Sequence, residues 1–195
     1  MDVDWAGYYR AVSGREPRPL VHKALAAHGG LLPGVAVDLG AGDGTDTLAL
    51  LANGWRVTAI DMTPTSGELI LGRVAPEHRA RLSVQIASIE VAELGEADLV
   101  YAALSLPFVP PAAFPAAWSR IRASLRPGGT LAAHLFGPHD TWATDPAMNF
   151  HDRADVERHL EGLEVISLEE TDRDGLATSG PKHWHLFEFV ARKPA

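Results

Sequence analysis

The stretch VAVDLGAGDGTDTLALLANGWRVTAIDMT, from Val35 to Thr63, decides the fold. It begins with a short apolar run typical of a buried strand and continues with glycines at positions 40, 42 and 44. A helical segment from Thr45 to Ala52 follows, and a second apolar run, Arg56 to Ile60, ends in Asp61. Strand, glycine turn, helix and acid-tipped strand together predict a βαβ unit that holds a nucleotide-like ligand.

The spacing of the glycines separates two classes of ligand. A dinucleotide fingerprint, G-x-G-x-x-G, requires glycine at position 45, where this chain has Thr45. The pattern present is Asp-x-Gly-x-Gly-x-Gly, from Asp38 to Gly44. The glycines let the backbone turn sharply and approach a ligand closely. Asp61 lies about 20 residues beyond the glycine loop, where an acid can accept hydrogen bonds from both hydroxyls of a ribose.

With one acid opening this motif and another closing the second strand, the sequence resembles the class I S-adenosylmethionine-dependent methyltransferases. The Leu-Arg-Pro-Gly-Gly turn at 125–129 is also frequent in that class. The resemblance implies an α/β fold of the Rossmann-like kind: a doubly wound, seven-stranded, mostly parallel sheet with flanking helices. Its last strand is expected antiparallel beside the fifth. The likeness runs over nearly the whole chain. Leu135-Phe136-Gly137, Asp140-Thr141-Trp142 and the closing segment 181–193 look like those of the small bacterial members grouped with the tellurite-resistance type.

The rest of the chain completes this pattern as one domain of residues 1–195. Hydrophobic periodicity predicts helices at 19–27, 64–73, 114–125 and 151–160, and strands at 82–86, 97–103, 130–136, 163–168 and 181–193. The acidic segment 169–180 is expected to be rich in turns. Segment 1–18 carries Trp5, Tyr8 and Tyr9 at helical spacing. These side chains either pack on the body or form a lid over the site, and the two roles are compatible.

The resemblance implies S-adenosylmethionine as the cofactor. In the family the glycine loop packs against the methionine part, the second acid holds the ribose, and the end of the third strand surrounds the adenine. Carried onto this sequence, the predicted cofactor-binding residues are Asp38, Gly40, Ala41, Gly42, Asp61, Met62, Ser88, Ile89 and Ala103.

The acceptor side is predicted from the loops and from the chain's aromatic and basic residues. Small residues after the fourth strand leave room for the sulfonium methyl group. A polar-plus-proline signature of methyltransferases that act on amide nitrogen is reduced here to Pro107 and Phe108, which argues against that acceptor. The predicted substrate-binding residues are Tyr9, Arg10, Phe108 and Trp142.

Two histidines are candidates for a catalytic base. His183 and His185 face the same side of a strand, because side chains alternate. They either assist proton transfer at the site or are polar residues on a half-exposed strand. As metal ligands they would need a third group, and the sequence contains no such cluster at a recognisable spacing. We therefore predict no metal site.

Composition narrows the class of partner. The chain has 195 residues, 46% of them hydrophobic and 22% charged, with a formal net charge of −8. Such a balance disfavours a nucleic-acid partner. Cysteine is absent, which excludes disulfides and thiolate chemistry and fits a cytoplasmic protein. The most apolar region, 99–118, is broken by four prolines, so no membrane association is expected.

The sequence therefore predicts an enzyme that transfers a methyl group from S-adenosylmethionine to a small molecule by in-line displacement. One alternative is a protein of the same fold that binds the cofactor or its demethylated product without transferring a methyl group. A dinucleotide-dependent oxidoreductase is a further alternative, and Thr45 in place of glycine speaks against it.

Overall fold

One seven-stranded sheet organises the described part of the chain. The structure, a computed structural model, describes residues 4–29 and 32–195. The strands lie side by side in the order β3-β2-β1-β4-β5-β7-β6. From β1 to β7 their bounds are Val35–Leu39, Arg56–Asp61, Leu82–Ile86, Ala97–Ala102, Leu125–Phe136, Glu164–Ala177 and Gly180–Arg192.

The direction of the strands confirms the predicted doubly wound α/β fold. Strands β1 to β5 pair in parallel, and β7 runs antiparallel between β5 and β6. The antiparallel insertion of the last strand beside the fifth is therefore also confirmed. Strand order reverses between β1 and β4, and ligands of open α/β sheets bind at the carboxyl ends of strands at such a point.

Helices cover both faces of the sheet. Proline in the first turn of α2 and α4 favours helix initiation, because its fixed φ suits a helix and its missing N–H has no partner to lose there. Helix α6 begins with a capping box in which Asp152 and Asp155 exchange backbone-to-carboxylate hydrogen bonds. From α1 to α6 the bounds are Trp5–Val12, Pro19–Ala27, Thr45–Ala52, Pro64–Arg73, Phe114–Ser124 and Arg153–Leu160.

The core has two apolar layers, one on each face of the sheet. Strand β4 shows why: Leu99 and Tyr101 join the layer shared with α2 and α3, while Val100 and Ala102 join the layer shared with α5 and α6. Both faces of this strand are buried, as expected for a parallel sheet between helices.

One prediction about the fold was wrong. The acidic segment expected to be rich in turns is strand, and β6 and β7 form a long hairpin joined by residues 178–179. Its acids are paired across the two strands, with Asp172 opposite His185 and Asp174 opposite His183. Polar pairs across two strands stabilise a sheet, so an acidic composition there does not indicate a loop.

The amino-terminal segment folds as a helix over the sheet. Helix α1 is capped by Asp4, whose carboxylate accepts the N–H of Gly7 at 2.8 Å, and its Tyr9 is buried. Residues 1–3 of the predicted 1–18 segment, and Gly30 after α2, lie outside the described residues. Within the described ranges, none of the helices has the length and apolar character needed to cross a bilayer.

Candidate functional site

A cavity of about 930 Å³ opens where the strand order reverses. Ligand pockets commonly measure roughly 300–1,000 Å³, so this one has room for two small ligands together. Helix α1, the glycine loop after β1, the loop after β4 and the tip of the β6–β7 hairpin surround it. All nine predicted cofactor residues lie in its lining, namely Asp38, Gly40, Ala41, Gly42, Asp61, Met62, Ser88, Ile89 and Ala103.

Backbone hydrogen bonds and close packing shape the glycine loop. The N–H groups of Gly40 and Ala41 both donate to the Ile60 carbonyl, at 2.8 and 3.0 Å. Gly40 has a φ of +74°, and a Cβ at this position would lie 2.3 Å from the Cβ of Ser105. Ser105 in turn donates from Oγ to the Leu39 carbonyl at 2.6 Å. The loop therefore joins the ends of β1, β2 and β4, and only glycine fits at position 40.

Asp61, at the end of β2, already accepts hydrogen bonds from four donors. The N–H and the hydroxyl of Thr63 reach Oδ1 at 3.0 and 2.9 Å, and the N–H of Gly42 reaches Oδ2 at 2.9 Å. The fourth donor is the hydroxyl of Tyr9, 3.0 Å from Oδ2 and 3.3 Å from Oδ1. An ionised carboxylate offers about four lone-pair sites, so this one is saturated. Burial, then the charge of Asp61, raises the pKa of Tyr9 far above its ordinary range.

Asp38, the acid that opens the glycine motif, is almost completely buried. Its side chain is held by the Thr47 hydroxyl, which donates to Oδ2 at 2.5 Å. Burial raises the pKa of Asp38 to about 7, and the charges of Asp46 and Asp61 act in the same direction. Asp38 lines the cavity, and with this pKa its carboxyl group is partly protonated near neutral pH. A cationic ligand beside it would favour the ionised form.

Asp46, in the first turn of α3, anchors the chain that follows α1. Its carboxylate accepts the guanidinium of Arg15 at 3.0 and 3.2 Å and the backbone N–H of Arg18 at 2.8 Å. The hydroxyl of Tyr101 donates to the same group at 3.2 Å. Arg15 and Arg18 thereby come to line the cavity, whereas the predicted substrate residue Arg10 is exposed and lies outside the lining. The structure thus does not bring Arg10 to the site.

The other three predicted substrate residues, Tyr9, Phe108 and Trp142, do line the cavity. They meet further aromatic side chains of the lining, among them Trp5 and Trp184. The ring centroids of Trp5 and Phe108 are 4.7 Å apart, and those of Trp142 and Trp184 are 6.0 Å apart. These rings come from α1, the loop after β4, the segment after β5 and the hairpin. This end of the cavity is therefore aromatic.

The predicted catalytic histidines are not part of this lining. His183 and His185 lie on one face of β7, whereas Trp184 between them lines the cavity from the opposite face. The imidazole of His183 lies between two acids, 2.6 Å from Asp172 and 2.7 Å from Asp174, and these hydrogen bonds raise its pKa. In the described part of the chain, the lining contains no histidine.

His139, Asp172 and His185 offer possible ligand atoms within 4.8 Å of one another. The Nδ1 of His185, however, accepts the backbone N–H of His139 at 3.1 Å, so its Nε2 carries the proton and faces Glu170 at 3.1 Å. A metal ligand must offer a free lone pair, and His185 has none in this arrangement. The group is therefore a hydrogen-bonded cluster in which His139 lies beside the hairpin.

Sequence reasoning missed the hairpin tip and the anchoring acid. Leu176, Trp184 and residues 177–179 line the cavity because β7 extends past the end of β5, where Phe136 pairs with Leu186. Alternation along the strand could have assigned Trp184 to the face opposite His183 and His185. No local signal marks Asp46 as the partner of Arg15, because that contact joins residues 31 positions apart.

Residues 36–129 match a family model described as a methyltransferase domain. The fold and this match define the class of protein, a class I methyltransferase, whose methyl donor is S-adenosylmethionine. The match spans 94 of the 195 residues, a little under half of the chain. The predicted resemblance, the enzyme class and the cofactor of that class are thus confirmed.

Solved structures share the fold at low sequence identity. TehB from Haemophilus influenzae superposes with a TM-score of 0.73 and 16% identity over 88% of this chain, which spans 62% of the TehB chain. The N-methyltransferase NodS from Bradyrhizobium japonicum WM9, in complex with S-adenosylhomocysteine, gives 0.72 and 16%, covering 99% of this chain and 100% of NodS. Both likenesses concern the fold alone.

A third solved structure contains an acceptor. The 1,6-didemethyltoxoflavin-N1-methyltransferase of Burkholderia thailandensis, with 1,6-didemethyltoxoflavin and S-adenosylhomocysteine bound, gives a TM-score of 0.65 and 24% identity. The superposition covers 91% of this chain and 78% of that one. This likeness again concerns the fold. No curated protein matches the chain.

Proposed function

We propose that the protein transfers the methyl group of S-adenosylmethionine to a small-molecule acceptor inside this cavity. One observation carries the proposal. All nine predicted cofactor residues and an aromatic acceptor end line the same cavity of about 930 Å³, which is large enough for donor and acceptor together.

On the donor side, Asp61 and Asp38 would recognise two polar parts of the cofactor, its ribose and its amino-acid end. Asp61 would accept hydrogen bonds from the ribose hydroxyls once the Tyr9 hydroxyl, which now donates to it, has moved away. Asp38 lies at the end of β1, just before the glycine loop, and its ionised form would favour the ammonium group of the amino-acid end. Ser88 and Ile89 would border the adenine.

The transfer itself is a displacement at the methyl carbon. A lone pair of the acceptor forms the new bond while the carbon–sulfur bond breaks, and the electron pair of that bond stays on sulfur as a neutral thioether. No histidine lines the cavity in the described part of the chain, so a proton carried by the acceptor would pass to a lining carboxylate or to a water molecule at the site. The acceleration then comes from holding the two reactants in line and from excluding bulk water.

The enclosure of the cavity supports a small acceptor. Helix α1 and the tip of the hairpin both border it, which leaves little room for a macromolecular surface to reach the reaction centre. The formal charge of −8 also disfavours a nucleic-acid acceptor. The Burkholderia thailandensis enzyme with a bound small heterocycle has the same fold.

Calorimetric titration with S-adenosylmethionine and S-adenosylhomocysteine tests the proposal. Asp61→Ala and the isosteric Asp61→Asn should weaken binding by about tenfold or more, since hydrogen bonds to a charged group contribute roughly 1.5–3 kcal/mol. Asp174→Ala removes an exposed acid outside the cavity and should bind like the wild type. Absence of binding by the wild-type protein would refute the proposed function. Transfer of a radiolabelled methyl group to small acceptors then separates catalysis from binding alone.

A further inference from the structure

Five aromatic side chains form a continuous wall at the acceptor end of the cavity. The aromatic wall consists of Trp5, Phe108, Phe136, Trp142 and Trp184, and every member lines the cavity. Ring centroids of successive members lie 4.7 to 6.2 Å apart, from Trp5 to Phe108, Phe108 to Trp142 and Trp142 to Trp184. Such spacings are typical of aromatic pairs in contact, so the wall offers flat faces and edges over the width of a fused ring.

A buried ammonium group lies behind this wall. Lys182 is 4% exposed and is not part of the cavity lining. Its Nζ lies 3.9 Å from the ring centroid of Trp142, 4.6 Å from that of Trp184 and 5.1 Å from that of Phe136. Three rings of the wall therefore already interact with a cation that belongs to the protein itself.

The charge of Lys182 is balanced by Asp140, which is 3% exposed and forms an ion pair with it. The same carboxylate accepts the backbone N–H of Trp142 at 3.0 Å, so it also positions the wall. Because Asp140 is paired with Lys182 and hydrogen-bonded to Trp142, its carboxylate is not available to neutralise a charged ligand. A cationic acceptor on the wall would face rings polarised by Lys182, and none of the five residues of the wall carries a negative charge to pair with it.

Resting on the proposed function, we propose that the methyl acceptor is an uncharged planar aromatic compound that stacks on the aromatic wall, with Lys182 selecting against cations. An aromatic hydroxyl or ring nitrogen would supply the lone pair. The wall provides apolar area and ring stacking, which hold a flat molecule without the need for charge. Lys182 acts as a specificity residue from behind the rings rather than as a catalytic group.

The experiment measures the binding of two probes to the full chain saturated with S-adenosylhomocysteine. Quinoline and N-methylquinolinium have nearly the same shape and differ in charge. We expect quinoline to bind at least about tenfold more tightly than N-methylquinolinium, and Trp142→Ala to weaken quinoline binding at least about tenfold, a loss typical of one stacked ring. Trp142→Phe, which keeps a ring, should lose less. Ile166→Ala, an apolar truncation on the outer part of β6, should behave like the wild type.

A double variant tests the role of the Lys182 charge. Replacing the buried pair together, Lys182→Met with Asp140→Asn, removes the cation without leaving an unpaired acid, and the preference for quinoline should fall below about threefold. Equal or tighter binding of N-methylquinolinium by the wild type would overturn the proposal, as would quinoline failing to bind or binding unaffected by Trp142→Ala. Saturation with S-adenosylhomocysteine is measured first. If S-adenosylhomocysteine does not bind, the proposed function is refuted. If it binds and quinoline does not, only the present inference is refuted.

Discussion

The hydroxyl of Tyr9 in α1 donates a hydrogen bond to Asp61 at the end of β2, 3.0 Å from Oδ2. The two residues are 52 positions apart in the chain. Together with Thr63 and Gly42, Tyr9 completes the set of donors to this carboxylate, so the site predicted for a ribose is occupied by a side chain of the protein. Cofactor binding through Asp61 must therefore displace the Tyr9 hydroxyl or share the carboxylate with it.

Removing that hydroxyl should tighten cofactor binding. Tyr9→Phe keeps the ring and eliminates the competitor of the ribose, so the dissociation constant for S-adenosylmethionine should fall by about tenfold, the value of one hydrogen bond to a charged group. Calorimetric titration measures the change, and Tyr8→Phe, on the same helix and without a hydrogen bond to Asp61, is the matched control. Weaker binding by Tyr9→Phe would instead mean that the hydroxyl helps to hold the bound cofactor.

Asp38→Asn should stabilise the free protein at alkaline pH while weakening cofactor binding. Burial raises the pKa of Asp38 to about 7, so between about pH 4 and pH 7 the folded protein retains a proton that the unfolded chain has released. The free energy of unfolding therefore falls as the pH rises through this range. Asparagine has no charge to bury, so at about pH 8 the variant should be more stable, by on the order of 2 kcal/mol.

Thermal melts at several pH values test this prediction. The advantage of Asp38→Asn should shrink toward about pH 5, where the wild-type carboxyl group is protonated in the folded state. Binding of S-adenosylmethionine by the variant should be about tenfold weaker, because asparagine lacks the negative charge that would attract the ammonium group of the cofactor. A stability difference that does not depend on pH would contradict the shifted ionisation of Asp38.

Gly40→Ala should destabilise the fold by about 2 kcal/mol or more. Position 40 has a φ of +74°, and the added Cβ would lie 2.3 Å from the Cβ of Ser105. Chemical denaturation measures the loss. Gly72→Ala is the matched control, because it lies within α4 with no atom inside 4 Å of the added Cβ, and it should raise stability by roughly 0.5–1 kcal/mol. Equal stability of Gly40→Ala and the wild type would be incompatible with the described loop.

Asp46→Asn should loosen the segment that carries α1. The carboxylate holds Arg15 and the backbone of Arg18, and a neutral amide would weaken both contacts. Limited trypsin digestion should then cleave after the exposed Arg10 several times faster than in the wild type. Asp174→Asn, an exposed acid on the hairpin, serves as the control. If cleavage after Arg10 rises only in proportion to the loss of global stability, Asp46 has no local anchoring role.

Local patterns in the sequence were sufficient for most of the elements. The bounds predicted for β1, α2, α3, α4 and β3 agree with the structure, because apolar periodicity, proline at helix starts and glycine at turns act over short distances. The long hairpin was misread because the pairing of Asp172 and Asp174 with histidines of β7 is invisible until the strands meet. The prediction that His183 and His185 lie at the site failed for a related reason. Alternation along a strand shows that the two side chains share a face, but not which side of the sheet that face occupies.

By itself, the sequence determined the class of protein: the order of elements, the glycine loop and the acids at 38 and 61 require a doubly wound sheet with a ligand at its point of reversal. The tertiary structure alone decided what surrounds that ligand. Three contacts join elements that are distant in the chain: Tyr9 with Asp61, Arg15 with Asp46, and Lys182 with Trp142. The physical reason is that such contacts depend on the angle of α1 and the length of the hairpin, which packing of the whole chain sets and no local pattern records.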